Sequence, residues 1–493
     1  MHVLVTGATG FVGRAVVLRL RRDGHSVTAY VRDLARARML LGDEAALLST
    51  SAPSEELQGT LARCDGVINL AGEPIAPGRW SARRKARLVA SRVDTTRSLV
   101  DALAACGRPP RVLVSASAVG IYGDCATTPC SERSRRGTGF LADLCEAWEG
   151  AARLAEPAGV RVVLARLGVV LGLEGGLLGQ VVPLFEAGAA VGIGGDKTYV
   201  SWVHLHDAVE VLVRALGDAD LHGPVNVVSP TPVPARTFWT ALARQAGTSL
   251  RAMAPSWALR AALGEAERGI GASIRAEPVR LGELAVPCLF PDLEGALADL
   301  LNATGSVRIA DLGAVAVRPL LAAQDPYLAG RRPSHLLQAD TTLSQPLPEV
   351  FAFFCRAGNL GLMTPKPMAM QIRGEAPLAM HAGLRIAYRL RVGPVPLTWR
   401  TRIAHWEPPY AFVDAQEQGP YRSWWHEHHF QSHQGGTQME DRVFYAPPLG
   451  PLGRLAHHLT IRRQLERIFL HRRSAITLRF GHGPGATTAA ATY

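Results

Sequence analysis

The stretch His2-Val3-Leu4-Val5-Thr6-Gly7-Ala8-Thr9-Gly10-Phe11-Val12-Gly13 decides the fold of the chain's first half. His2–Thr6 reads as a strand, and Phe11–Arg22 as a helix with Val12, Ala15, Val16 and Leu20 on one face. Between them three glycines stand in G-x-x-G-x-x-G spacing. Glycines here permit a tight turn and let the backbone approach a pyrophosphate. The helix N-terminus then points unbonded N–H groups at the phosphates. A glycine triplet alone is weak evidence; its place between strand and helix is what makes it a dinucleotide site.

Working outward, strand-like runs recur at Ser26–Arg32, Gly66–Leu70, Arg111–Ala116 and Val160–Leu167, with helical patterns at Ser81–Ala105 and Phe140–Ala155. Near-continuous apolar strands separated by helices predict a parallel sheet covered on both faces, doubly wound by right-handed crossovers. The fold class expected is α/β, a doubly wound parallel Rossmann-type sheet over residues 1–223. A small C-terminal lobe on the substrate side follows at 224–302, with helical stretches Ala235–Gln245, Trp257–Leu263 and Asp292–Leu301. Residues 303–334 lack consistent periodicity and contain Gly305, Pro319, Pro326 and Pro333, so they read as a linker.

The end of the second strand, Tyr30-Val31-Arg32-Asp33, selects the cofactor. An NAD site wants a carboxylate there for the ribose 2′-hydroxyl. Arg32 suits a 2′-phosphate instead, and Arg36 and Arg38 add positive potential, so NADP is expected. Asp33 is the competing reading, because one residue of register slip lets its carboxylate meet a hydroxyl.

The chain has 493 residues, enough for two to four domains at roughly 100–200 residues each. Its 47% apolar and 19% charged residues place it among globular chains and exclude a mainly disordered one. Lys and Arg number 53 against 42 Asp and Glu, a net +11. From His335 to Phe480 the counts are 17 against 10, hence +7, and 10 of the 16 histidines lie there too. No aromatic-interleaved basic patch accompanies this charge, so nucleic acid is not an expected partner. The chain opens on a strand with no basic leader, no apolar run reaches about 18 residues, and its cysteines form no C-x-x-C pattern. A reducing, cytoplasmic setting with Cys125 and Cys130 as free thiols is the expectation.

Further motifs follow in order: Asn69-Leu70-Ala71-Gly72-Glu73-Pro74, Ser91-Arg92-Val93-Asp94-Thr95-Thr96, Ser115-Ala116-Ser117-Ala118-Val119-Gly120, Arg166-Leu167-Gly168-Val169-Val170-Leu171-Gly172 and Ser201-Trp202-Val203-His204. With the glycine turn, they resemble the extended short-chain dehydrogenase/reductases. Within these they are most similar to the atypical, epimerase-like family of the short-chain reductase 39U type, over about residues 1–302. Pro287–Leu301 resembles that family's C-terminal extension. The resemblance implies that NADP (NADPH) lies against Gly7, Thr9, Gly10, Phe11, Val12, Gly13, Arg32, Leu70, Ala71, Gly72, Arg92, Ser115 and Val169.

Short-chain reductases pair a Ser or Thr with Tyr-x-x-x-Lys, whose Lys lowers the Tyr pKa so that the phenol exchanges a proton as hydride moves. Ser117 fits the Ser position. The helix that should carry the other two reads Phe140-Leu141-Ala142-Asp143-Leu144-Cys145, and neither register supplies a phenol or an amine. Tyr122 is the nearest phenol in sequence. Ser117 and Tyr122 are therefore the catalytic candidates, against the plainer reading of Tyr122 as a loop residue packed over the cofactor. Glu73 and Asp143 are candidate acids, and His204 and His206 candidate substrate-pocket residues.

From His335 to Phe480 the pattern becomes mainly β. A strand at Leu336–Leu343 and a helical turn at Pro346–Phe354 lead into Leu384–Val392, Leu397–Trp406, Ala411–Gln416, Trp424–Phe430 and Gln438–Tyr445, spaced as an antiparallel meander. A long helix, Leu452–Arg473, follows. This order, with Phe353-Phe354, Asn359-Leu360, Gly419-Pro420-Tyr421-Arg422 and Asp441-Arg442-Val443, resembles the START-like (SRPBCC, polyketide cyclase/lipid transport) superfamily, an α+β helix-grip fold over 335–480. The resemblance implies an apolar cavity for a lipid, quinone or polyketide-like ligand. His426 and His428 share a strand face, but no third ligand at a diagnostic spacing accompanies them, so no metal is expected. Arg462, Arg463, Arg467, Arg472 and Arg473 read as a solvated helix face, with a weak anionic-membrane surface as the alternative. The small, polar tail 481–493 is expected to be disordered.

Two functions fit these features. One is an NADP(H)-dependent oxidoreductase or epimerase-like enzyme acting on a small carbonyl or sugar-like substrate, fused to a hydrophobic-ligand domain. The other is a non-catalytic NADP sensor joined to a ligand carrier.

Overall fold

The computed structural model describes residues 1–76, 78–195, 197–301, 306–314, 319–321, 325–365, 368, 370–374, 379–392, 395–481 and 491–492. It divides into two compact units, one comprising Met1–Ala37, Glu44–Leu300 and the terminal Thr488–Tyr493, the other Arg38–Asp43 and Leu301–Thr487.

The first unit is built on seven strands: β1 (His2–Thr6), β2 (Ser26–Val31), β3 (Ala46–Ser49), β4 (Gly66–Asn69), β5 (Val112–Ala118), β6 (Arg161–Leu167) and β7 (Gly223–Val227). They lie in the order β3-β2-β1-β4-β5-β6-β7, every neighbouring pair parallel. Helices α1 (Phe11–Arg22), α2 (Leu34–Leu41), α3 (Ser54–Leu61), α4 (Ala82–Val89), α5 (Thr95–Ala104), α6 (Phe140–Arg153) and α7 (Leu205–Gly217) connect them. Leu57 and Leu61 of α3, Leu99 and Leu103 of α5 and Ala152 of α6 pack on Leu4, Val67, Leu113 and Leu164, covering one face. α1 and α7 pack together on the other. With both faces covered, the strands need the continuous apolar runs that they have.

Three details depart from the sequence reading. β7 extends the sheet across the boundary expected at residue 223. The helix expected over Ser81–Ala105 is interrupted by a wide π-helical turn, Ala90–Asp94, between α4 and α5. In the tail, Ala491–Thr492 pairs antiparallel with Pro287–Cys288. The remainder of the stretch expected to be disordered, apart from Gly481, lies outside the described residues.

The second unit is a mostly antiparallel sheet of eight strands. They are β8 (Val307–Asp311), β9 (His335–Leu343), β10 (Gln371–Ile372), β11 (Arg385–Val392), β12 (Val395–Glu407), β13 (Ala411–Gln418), β14 (Ser423–His433) and β15 (Gly436–Ala446), in the order β8-β9-β15-β14-β13-β12-β11-β10. β8 falls inside the expected linker. It buries Val307 and Ile309 alternately and pairs along β9 from Val307↔Ala339 to Asp311↔His335. Helix α8 (Leu347–Phe354) precedes the meander, and α9 (Arg462–Phe480) closes the unit, burying Leu465, Phe469, Ile476 and Phe480. Arg472 is also buried, so the expected solvated arginine face is not uniform. Among the described residues no helix is long and apolar enough to cross a membrane.

Candidate functional site

The sheet order reverses between β1 and β4, the position at which a doubly wound sheet opens a crevice at its carboxyl edge. Gly7 leaves β1 with φ +64°, in the left-handed region, and a Cβ there would stand 2.5 Å from the Leu70 carbonyl oxygen. The β1–α1 turn and the exit of β4 are therefore back to back, with room for glycine alone. Gly10 donates its N–H to the Gly7 carbonyl at 2.7 Å, and a Cβ on Gly13 would collide with that same carbonyl. α1 begins on Gly10 with no side-chain cap and no acidic residue in its first turn. Its leading N–H groups are left to an anion.

At the end of β2, Asp33 Oδ1 accepts the Arg36 N–H at 2.9 Å, which makes it the N-cap of α2. β2 ends at Val31, two residues before Asp33. Arg32 is exposed, and its side chain has no hydrogen bond or ion pair among the described residues.

Along the rim, Thr9, Phe11, Val12, Leu70, Ala71 and Val169 are half-buried and Gly72 is exposed. The Phe11 ring rests on a glycine-rich loop, 2.7 Å from where a Gly172 Cβ would stand. Two residues expected to touch the cofactor face inward. Arg92, in the π-helical turn, is buried beneath the β4 exit. Its Nη2 donates to the Glu73 carbonyl at 2.8 Å, and its guanidinium lies 5.3 Å from the Trp148 ring centroid. Burial lowers its pKa. Ser115 is 0% exposed and accepts Asn69 Nδ2 at 3.2 Å. Asn69 also receives the Thr6 hydroxyl at 2.7 Å and donates to Thr96 at 2.9 Å, tying β1, β4, β5 and α5 together. Arg92 and Ser115 shape the rim from within.

The catalytic candidates meet in one buried network. Ser117 Oγ donates to Glu149 Oε1 at 2.7 Å. Arg166 grips Glu149 with two bonds, 2.8 and 2.9 Å, and donates from Nη1 to the Tyr122 hydroxyl at 3.0 Å. Tyr122 in turn donates to Asn226 Oδ1 at 2.7 Å. Ser117 and Tyr122 are 2% and 3% exposed. Burial pushes the Tyr122 phenol up to about 12, against the opposing pull of Arg166. The proton that Tyr122 would have to give is thus held by Asn226.

No substitute for Tyr-x-x-x-Lys appears on α6: Phe140 packs edge-on against Trp80 with centroids 5.1 Å apart, and Leu144 and Cys145 are core residues. Glu73 is paired with Arg84 at 2.5 Å and Arg87 at 2.8 Å, and Asp143 with Arg136 at 2.9 Å. His204 caps α7, accepting the His206 N–H at 3.1 Å, and stacks on Phe290. Glu149, Asn226 and Arg166's role escape sequence reasoning, because their partners stand up to 104 positions away. Cys125 and Cys130 form no disulfide among the described residues.

The second unit encloses a cavity of about 310 Å³ whose lining includes Leu390, Trp399, Phe412, Trp424, Leu465 and Phe469. Asp414, His426, His428 and Arg472 form a polar part of its wall.

The parallel order, the glycine turn and the bare helix N-terminus define the first unit as a Rossmann-type dinucleotide-binding domain. Comparison with known proteins agrees. Residues 3–228 match the model of the NAD dependent epimerase/dehydratase family. An epimerase family protein of Mycobacterium leprae is 39% identical over 282 residues, covering 57% of this chain and 89% of that protein. The human epimerase family protein SDR39U1 is 33% identical over 310 residues, covering 61% of this chain and 100% of that protein. The crystal structure of human SDR39U1 (isoform 2) with NADPH matches with a TM-score of 0.56 at 30% identity, over 61% of this chain and 99% of that one. The chain belongs to the NAD-dependent epimerase/dehydratase family.

Proposed function

We propose that the first unit binds NADP(H) and serves an oxidoreductase or epimerase-like reaction on a small carbonyl or sugar-like substrate. The second unit is a START-like, helix-grip domain that holds a hydrophobic ligand. The observation that carries the cofactor reading is the end of β2, where Asp33 caps α2 through Oδ1 while Arg32 stands exposed with no side-chain partner among the described residues. The helix cap takes up one oxygen of the Asp33 carboxylate and holds it toward α2, whereas the exposed Arg32 guanidinium suits a 2′-phosphate. The NADPH in the human relative's structure supports the same reading.

The residues present fit a dinucleotide. The N–H groups of Phe11, Val12 and Gly13 that open α1 would face the diphosphate, Arg32 takes the 2′-phosphate, and Leu70, Ala71 and Val169 offer half-buried apolar walls. When bound, the nicotinamide supplies or accepts hydride. In this chain Arg92 and Ser115 hold the rim in place. Ser117 and Tyr122, locked to Glu149 and Asn226, are positioning residues. Their engagement favours the second reading, a non-catalytic NADP(H)-responsive carrier.

One assay separates the two. The chain is incubated with NADPH and a panel of carbonyl compounds while absorbance of the reduced nicotinamide is followed. Turnover that survives Ser117→Ala supports the enzyme with another proton donor. Tight NADPH binding without turnover on any compound supports the carrier. For the second unit, the apolar lining of the cavity supports a lipid, quinone or polyketide-like ligand.

A further inference from the structure

The fold of the second unit gathers four residues that are scattered in sequence. His426 and His428 stand two apart on β14 with ring centroids 3.8 Å apart. Asp414 of β13 is the cross-strand partner of His426, and Asp441 of β15 is that of His428. Asp441 Oδ1 lies 2.9 Å from His426 Nε2 and 2.8 Å from His428 Nδ1. Arg472 of α9 holds the same carboxylate, with Nε 3.1 Å from Oδ2 and Nη2 3.2 Å from Oδ1.

This arrangement assigns the tautomers. Asp441 is an acceptor that both imidazoles face, so His426 carries its proton on Nε2 and His428 on Nδ1. Arg472 Nη2 also lies 3.1 Å from His428 Nδ1. The opposite tautomer of His428 would let Nδ1 accept that bond, but it would set the Nδ1 lone pair against Asp441 Oδ1 at 2.8 Å, the shortest contact of the cluster. The two remaining nitrogens, His426 Nδ1 and His428 Nε2, are then bare acceptors. Both face Asp414 Oδ2, at 3.4 and 3.0 Å.

Three acceptors therefore converge with no proton between them, a repulsive arrangement that a cation relieves. Among the described residues no Lys or Arg forms an ion pair with Asp414. The spacing suits a metal: ligands about 2.1 Å from a common centre stand about 2.9–3.4 Å apart in octahedral or tetrahedral geometry. A histidine that binds a metal through one nitrogen commonly donates the other N–H to a carboxylate, and Asp441 accepts from both.

We infer that Asp414, His426 and His428 bind a divalent first-row transition-metal ion through Oδ2, Nδ1 and Nε2 respectively, with Asp441 and Arg472 orienting the two histidines. Two imidazoles and one carboxylate select that class over calcium or magnesium. Asp414 is 21% exposed, and it lines the cavity together with both histidines. The remaining coordination positions open onto the apolar chamber, where an oxygen donor of a bound hydrophobic molecule would complete them. The third ligand, Asp414, stands twelve positions before His426 in the chain, at no diagnostic spacing. β-Pairing brings it from the neighbouring strand. The site stands independently of the dinucleotide reading.

The test uses the untagged full chain, stripped by a chelator and titrated anaerobically with Co(II) alone. Visible d–d absorption from nitrogen and oxygen ligands saturates at a single equivalent. Asp414→Asn and His428→Gln abolish these bands, Asp441→Asn weakens binding about 10–100-fold, and His433→Gln, on the same strand outside the cluster, behaves as the unmodified chain. Far-UV circular dichroism reports whether each variant folds. A variant that does not fold leaves the titration of the unmodified chain to decide. Absence of the bands in that chain, or bands that persist in folded Asp414→Asn and His428→Gln, overturns the site.

Discussion

Replacing Tyr122 with Phe separates a structural role for this phenol from a chemical one. Phe retains the ring and its place 5.3 Å from the Arg166 guanidinium, so one oxygen is removed and little volume is lost. That oxygen accepts from Arg166 at 3.0 Å and donates to Asn226 at 2.7 Å, in a residue 3% exposed. Without it, Asn226 Oδ1 and one Arg166 N–H are left buried and unpaired. Arg166 keeps both bonds to Glu149, and Asn226 keeps its Nδ2 bond to the Glu277 carbonyl at 2.9 Å. At about 1–3 kcal/mol per unsatisfied buried group, with partial relaxation, the loss is about 2–4 kcal/mol. Urea unfolding of the full chain measures it, the relevant transition being the one that saturating NADPH shifts. Any NADPH turnover is expected to stay within threefold of the unmodified chain. Unchanged stability, to about 0.5 kcal/mol, with turnover reduced on the order of 100-fold, would show the hydroxyl to be free for proton transfer and refute the reasoning.

Arg32→Ser is expected to weaken NADP binding about 10–100-fold, the value of one charge-assisted contact, and to leave NAD binding unchanged; equal losses for both cofactors would deny Arg32 its role. Gly13→Ala puts a Cβ into the Gly7 carbonyl and 2.9 Å from Ala8 Cα, so nucleotide binding should vanish from a chain that still folds by circular dichroism. His457, bonded to the Tyr445 hydroxyl at 2.7 Å and 2% exposed, is pushed by burial and by His335 down to about 4 from 6.5. A lowered folded value favours the neutral form, so this contribution is whole above pH 6.5 and is lost as pH falls toward 4, by up to about 3 kcal/mol. Urea midpoints should fall across that window for the second unit, and His457→Gln should flatten the profile; a chain equally stable at both ends contradicts the assignment.

The first unit was legible because its physics is local. Val3–Val5 and Val112–Val114 are continuous apolar runs, and the glycines at 7, 10 and 13 have a spacing that only a close turn requires. β7 was missed because Pro224 and Asn226 break its apolar character, and because an edge strand of five residues needs little of it. β8 was missed for a related reason: only Val307 and Ile309 carry its pattern. The π-helical turn holding Arg92 leaves no mark in composition, since Ala90–Asp94 would serve an ordinary helix as well. Ser117 and Tyr122 were found as residues, but their roles depend on Glu149 and Asn226, which no spacing rule joins to them. The same holds for Asp414 and His426, whose adjacency exists only once β13 and β14 are in register.

The central claim is that the end of β2 chooses NADP. It is tested most directly by titrating the purified full chain with NADPH and NADH at one salt concentration and comparing dissociation constants from nicotinamide fluorescence. NADPH should bind at least about tenfold more tightly, as one charge-assisted contact requires. Equal affinity, or tighter binding of NADH, would contradict it.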